Sequence, residues 1–350
     1  VDDCFDADGS PVEMAPRYVL QKIVNAYREN GWEPVVAPEL EFYLIKPNPD
    51  ADYPLEPPVG RSGRAEAGRQ SFSIDAVNEF DPLFEDLYDY CEGLEISLET
   101  LNHDAGAAQM EVNLLHGDPV AIADQAFLFK RAVRETALRH KMYASFMAKP
   151  MEKEPGSAMH IHQSVISAKT GANIFSDTNG EASALFYAYI GGLQRFLPAS
   201  LSLLAPNVNS YRRLIRYHAA PINVQWGLDN RTVGLRVPDS GRESRRVENR
   251  VPGADANPYL AIAASLACGL LGMQQKLDPS APVTASAYDM PYELPRSLEQ
   301  SLEALEHCDD LKEMLGTRFV QAWNAVKESE YDTFLQVISS WEREHLLLNV

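Results

Sequence analysis

Cysteine is scarce in this chain and never paired at short spacing. Cys4, Cys91, Cys268 and Cys308 are scattered through 350 residues with no C-x-x-C, which argues against a disulfide framework or a zinc site and for free thiols in a reducing compartment, the cytoplasm. Basic residues are outnumbered: 31 Lys and Arg stand against 50 Asp and Glu, a formal charge of −19 at pH 7. Phosphate backbones need a basic surface, so no nucleic-acid partner is expected. Long apolar runs are missing as well. The longest, YLAIAASLACGLLGM from Tyr259, falls short of the roughly 20 residues of a bilayer-spanning helix, so no membrane association is expected. No basic segment followed by an apolar one, the pattern of a signal peptide, is visible. Neither a GxxxxGK[ST] loop nor a protein-kinase signature occurs. Val1 is not Met, and the opening VDDCFDADGSPVEMAPRYVL reads as though in mid-domain. An N-terminal portion is therefore expected to be missing, with a sheet edge near residues 1–5 left without its partner.

What remains is an ordinary globular composition, 45% hydrophobic and 23% charged, long enough to bury a substantial core. Residues 16–30 have a helical apolar stripe opened by Pro16 and closed by Gly31. PELEFYLI (38–45) reads as a strand, 46–70 as a long loop suited to a flap, and 81–96 as a helix. Strands follow at 97–103 and 108–115, then a helix from Asp118 to about His140. A strand at 157–166, a polar turn at 167–182 and a helix from Ser183 to Leu204 come next. Strands at 222–228 and 232–237, a helix from Pro258 and C-terminal helices from Leu298 to about Leu347 complete the chain. The strands mostly alternate polar and apolar residues, which predicts an antiparallel sheet with one face packed on helices. No repeat and no internal boundary is visible, so residues 1–350 are expected to form one domain.

The polar faces of the strands carry the chemistry. Glu39, Glu41 and Tyr43 share a face, since successive strand residues point to opposite sides. Gln109, Glu111 and Asn113 share one in AQMEVNLL, and His160, His162 and Ser164 one in SAMHIHQSVI. Any one of these strands alone looks like an amphipathic strand facing solvent. Together, Glu39, Glu41, Asp104, Glu111, His160 and Glu248 make five carboxylates and an imidazole, a set suited to two hard divalent ions, Mg²⁺ or Mn²⁺, rather than zinc. The second cluster is basic: Arg212, Arg213, Arg231, Arg236, Arg245, Arg246 and Arg250 lie between residues 212 and 250. They suit phosphate or carboxylate oxygens, or else pair with acids at the surface. Two metals beside an arginine cluster meet the needs of phosphoryl transfer from ATP.

PELEFYL, GSAMHIHQS, NSYRRL, WGLDNRTVGLRVP and RRVENRVPGADANPYLAIAA, in that order over nearly the whole chain, resemble the catalytic domain of the glutamine synthetase family. APINVQWGLDNRTVGLRV and the ending SWEREHLL are most like the γ-glutamylpolyamine synthetase branch. The resemblance implies an α+β fold with a curved, mainly antiparallel sheet, preceded in the family by a β-grasp domain that completes the neighbour's site in a double-ring oligomer of two hexamers. It implies a first metal site at Glu41, Asp104 and Glu111 and a second at Glu39, His160 and Glu248. It places glutamate at Gly156, Arg213 and Arg250, and ATP at Glu99, His162, Ser164, Arg236 and Arg246. Arg231 would support the transferring phosphate. Four positions depart from the family pattern: Asp104 stands where Glu is usual, Pro155 where Asn is frequent, no basic residue lies near Glu243, and Ala219 replaces the acid that takes a proton from ammonium. The expected activity is ATP-dependent joining of the γ-carboxylate of glutamate to an amine through γ-glutamyl phosphate. The acceptor is expected to be a polyamine or other primary amine, with ammonia or a non-catalytic role as alternatives.

Overall fold

A computed structural model describes residues 1–67 and 69–350. One strand organises it. β1 (Trp32–Ile45) runs 14 residues and pairs antiparallel with β3 (Gln109–Leu114) on one edge and β5 (Met159–Ser167) on the other, while its last residues meet β4 (Tyr143–Ser145). β2 (Leu98–His103) lies outside β3. β8 (Val247–Asn249), β7 (Leu235–Val237) and β6 (Trp226–Leu228) extend the sheet beyond β5, giving the order β2-β3-β1-β5-β8-β7-β6. Among the described strands the β6–β7 pair is parallel and the other pairs are antiparallel.

β1 starts six residues before the expected strand because Pro34 and Pro38 do not break it. Val36 exchanges hydrogen bonds with Gly117 on the β3 side, at 3.1 and 3.0 Å. Residues two apart face the same way, so the absent N–H groups of Pro34 and Pro38 also point to that side, where no continuous ladder runs, and pairing with β5 is undisturbed. β4 and β8, at three residues each, are too short to show alternation. The expected strands at 222–228 and 232–237 shorten to β6 and β7. The edge expected near residues 1–5 is not part of this sheet: Phe5 makes an isolated bridge to Pro11.

Helices cover one face. α1 (Pro16–Glu29), α4 (Pro119–Arg139), α5 (Ala184–Leu204) and α6 (Pro258–Gln275) form the layer, capped by Asp118, Ser183 and Asn257 at the starts of the last three. α2 (Ile74–Asn78) and α3 (Asp81–Gly93) follow the 46–70 loop, and α7 (Leu298–Glu306), α8 (Asp309–Leu315), α9 (Thr317–Leu335) and α10 (Ser340–Leu346) end the chain. Leu40, Phe42 and Leu44 of β1, Met110 and Val112 of β3, and Met159, Ile161 and Val165 of β5 are buried against this layer. The face bearing Glu39, Glu41, Glu111 and His160 is left for other contacts. Among the described residues no helix is long and apolar enough to cross a membrane.

α6 is buried from Pro258 to Met273, and α5 crosses it at a glycine contact. A Cβ on Gly192 would lie 2.3 Å from the Cys268 carbonyl oxygen and 2.5 Å from the Gly272 Cα. Backbone cannot yield as a flexible side chain can. Gly192→Val is therefore expected to cost about 1–3 kcal/mol or more, measured as a lower denaturation midpoint. A variant as stable as the parent would mean the two helices pack more loosely than described.

Candidate active site

Strand register assembles the site. Glu39 lies opposite Asn113 on one side and His160 on the other, and Glu41 lies opposite Glu111. His162 faces Glu248, which faces Arg236. Glu248, expected only in a polar segment, is thus the centre of the short strand β8. Asp104 sits in the turn after β2, where its N–H donates to the Gln109 carbonyl at 2.9 Å.

All six proposed metal-binding residues line one cleft of about 470 Å³, together with Gly156, Arg213, Ala219, Arg231, Arg236 and Arg250. His160 is its hub. Its Nδ1 is 3.1 Å from Glu39, 3.7 Å from Glu248 and 3.9 Å from Glu41. Donor atoms of Glu39, His160 and Glu248 fall within 4.8 Å of one another, as do those of Glu41, Glu111 and His160. In the second trio His160 joins Glu41 and Glu111, while Asp104 lines the same cleft from the turn that follows β2. These oxygens and one ring nitrogen fit a hard divalent cation. Asn113, which lines the same cleft, supports that fit, because its buried Oδ1 lacks a hydrogen-bond donor.

A second cavity of about 440 Å³ adjoins the first and shares Glu39, Asn113 and Arg236 with it. Glu99, His162, Ser164 and Arg246 line it, so every residue expected to contact nucleotide is there. A hydrogen-bond chain joins the two spaces. Arg246 Nε donates to His162 Nδ1 at 3.1 Å, and His162 Nε2 donates to Glu39 at 2.7 Å. Arg236 donates to Glu248 at 2.6 Å and to Asp229 at 2.7 Å. The Arg213 guanidinium is buried, its two ends donating to the Val251 and Arg250 carbonyls at 2.8 and 3.0 Å. Gly156 has to be glycine here, since a Cβ would lie 2.5 Å from the Ala148 carbonyl oxygen and 2.6 Å from Arg213 Cγ. Pro155 turns its carbonyl to Tyr43, which donates at 2.8 Å.

Sequence reading missed several supports. Glu66, in the expected flap, accepts from buried His103 at 3.0 Å and from the Ala108 N–H at 2.7 Å, pinning the loop to the turn that carries Asp104. Gln109 donates to the Gly156 carbonyl at 3.0 Å. Asn102, Phe72 and Tyr288 also line the cleft. The loop position of Glu66 carries no periodic signal that would have revealed it.

The charges are unevenly settled. Burial pushes Glu41 well above the usual carboxylate range, and Asp104 and Glu111 push it further. Burial, with Glu39, Asp104 and Glu248 nearby, raises Glu111 to about 8. For Glu39 burial acts upward too, but the hydrogen bonds from His160 and His162 prevail and keep it ionised. For Glu248 the upward effect of burial yields to Arg250 and His160, which lower it to about 2. Burial and Arg250 hold His160 down at about 4, as a neutral ligand-competent imidazole.

The chain matches the glutamine synthetase catalytic domain over residues 13–346. Gamma-glutamylputrescine synthetase PuuA of Escherichia coli K12 is 40% identical over 98% of this chain and 73% of its own. The glutamate–isopropylamine ligase of a Pseudomonas species is 32% identical over 97% of this chain and 75% of its own. The structure of a GmaS/ADP complex superposes with a TM-score of 0.85 at 28% identity, covering 97% of this chain and 79% of that one.

The raised carboxyls give the metal-free protein a pH signature. Folded pKa values above the ordinary 4.5 mean stability that is complete below about that pH and is lost as pH rises, through about 8 for Glu111. A bound cation displaces those protons. The rise in melting temperature on adding Mg²⁺ or Mn²⁺ should therefore be larger at pH 8 than at pH 6, and Glu111→Gln should flatten the metal-free pH profile. A metal effect independent of pH would remove Glu41 and Glu111 from the cation site.

Proposed function

The chain belongs to the glutamine synthetase catalytic-domain family, and on that premise we propose that it is an ATP-dependent ligase joining the γ-carboxylate of glutamate to an organic amine. The observation that carries the reading is the meeting of the two cavities at Glu39, Asn113 and Arg236. On this reading one takes a triphosphate and the other a dicarboxylate, with Arg236 at the junction.

Glu99, His162, Ser164, Arg236 and Arg246 hold ATP with its γ-phosphate toward the junction. Gly156, Arg213 and Arg250 hold glutamate with its γ-carboxylate facing that phosphate. A carboxylate oxygen attacks the γ-phosphorus, the bond to the bridging oxygen breaks, and ADP leaves. Arg231, on the cleft wall, neutralises charge on the phosphoryl group as it moves. Two divalent cations held by Glu39, Glu41, Asp104, Glu111, His160 and Glu248 would supply further charge neutralisation when bound. The amine nitrogen then attacks the γ-carbonyl carbon of γ-glutamyl phosphate, phosphate departs with its electron pair, and the nitrogen loses a proton. Holding both partners in register removes much of the entropic barrier. The same reading takes the enzyme as cytoplasmic and as a ring-forming homo-oligomer of two hexamers in its full-length form.

Support for an organic acceptor comes from Ala219. It is exposed at the cleft and leaves room for an alkyl group where it lacks a carboxylate to deprotonate ammonium. Two relatives named for amine ligation agree. With saturating ATP and glutamate, kcat/KM for primary amines should exceed that for ammonium, and Ala219→Glu should shift the ratio toward ammonium by about tenfold or more. An enzyme that prefers ammonium to every amine in the panel is a glutamine synthetase in the ordinary sense. One that releases no phosphate with any acceptor is a non-catalytic member.

A further inference from the structure

The cleft wall beside Ala219 carries groups that phosphoryl transfer leaves unused. Phe72 and Tyr288 line the cleft there, and Phe72 is 71% exposed. Tyr217, two residues before Ala219, meets the Tyr288 ring edge-on with centroids 5.5 Å apart. Its hydroxyl donates to Asp289 Oδ1 at 2.8 Å, and Tyr217 is the one side-chain partner of Asp289 among the described residues. The nearby cation is engaged elsewhere: Arg216 donates to the Met290 carbonyl at 2.9 Å and lies over the Tyr292 ring at 5.1 Å. Phe72, Tyr217 and Ala219 have φ of +62°, +62° and +59°, a region that residues other than glycine seldom occupy and that clusters at working sites.

An aromatic wall ending in a carboxylate without a cationic partner is a receptor for an organic ammonium. Ring faces attract the cation, the carboxylate pairs with it, and the alkyl part lies against the rings. On the ligase reading the interior of the cleft is filled by glutamate, the moving phosphoryl group and the two cations, with Arg213, Arg231 and Arg250 beside them. A diamine with one nitrogen at the reacting carbonyl has to send the other outward. We propose that Tyr288, Tyr217 and Asp289 form a subsite at the cleft mouth for the distal ammonium of a diamine, whose chain passes Ala219 and Phe72. This rests on the amine-ligase reading and narrows its acceptor to amines with a second positive charge.

The test compares 1,4-diaminobutane with butylamine, which has the same carbon chain without the distal charge, on the full-length enzyme at saturating ATP and glutamate. The wild type should favour the diamine. Asp289→Asn, which can still accept the Tyr217 hydrogen bond, should lower the diamine-to-butylamine ratio of kcat/KM about five- to tenfold, through KM for the diamine. Tyr217→Phe should lower the same ratio in the same direction. A ratio unmoved by both substitutions, or a wild type indifferent to the distal charge, overturns the subsite while leaving the ligase reading intact, since both amines are then still turned over. Turnover with ammonium alone overturns both.

Discussion

Five carboxylates share one cleft, and the fold is arranged around holding them there against their own repulsion. Unit charges about 4 Å apart interact by about 4 kcal/mol at the effective dielectric near a protein surface, so Glu41 facing Glu111 across a strand pair is costly when both are ionised. The protein answers from within through Arg213, Arg236, Arg250 and the two histidines. Geometrically, Leu40, Phe42 and Leu44 alternate with the acids along β1 and are buried without exposure on the helix side. A slip of one residue would turn those three toward the cleft and the acids into the core. Hydrophobic register thus holds the carboxylates together.

That link explains which parts of the site were legible. Period-two alternation announced the polar faces of β1, β3 and β5, and with them Glu39, Glu41, Glu111, His160 and His162, because the property that folds the strand also aims the side chain. Legibility failed where a residue is placed by something other than period. Glu248 is legible as one of the acids, but its strand is not, because three residues are too few to alternate visibly. Glu66 reaches His103 and Ala108 from an irregular loop across 37 and 42 residues. The expected strand opens at Pro38, and only the pairing pattern reveals that the missing N–H groups of Pro34 and Pro38 face away from β5, so that β1 starts at Trp32. Asp104, grouped with the other acids in the sequence, lines the same cleft but stands on a turn whose shape no pattern announces.

His162 and Glu39 join the two cavities electrically as well as spatially. Arg246 donates to one nitrogen of His162 and the other donates to Glu39, so the ring is fixed with its proton on Nε2 and Glu39 is kept ionised. Glu39 also accepts from His160 at 3.1 Å. Arg246 in one cavity is therefore linked to Glu39, which borders both, through two hydrogen bonds. Chains of this kind polarise along their length. The 440 Å³ cavity and the 470 Å³ cleft thus share a hydrogen-bonded chain that ends at Glu39, which lines both.

The two halves of the chemistry rest on different kinds of structure. Most groups suited to phosphoryl transfer stand on β1, β3, β5, β7 and β8, where a buried face fixes their positions and a change of identity risks the register. The groups that the proposal assigns to the acceptor stand on connecting segments: Phe72 before α2, Tyr217 and Ala219 between the 3₁₀ turn at Ser210–Arg212 and β6, and Tyr288 with Asp289 before α7. Three of these hold left-handed backbone, a conformation that depends on local packing and not on a ladder. Side chains in such segments can be exchanged without moving a strand. On the proposed reading, a sheet that fixes the phosphoryl machinery and loops that border the acceptor would let the acceptor side change without disturbing the strand register.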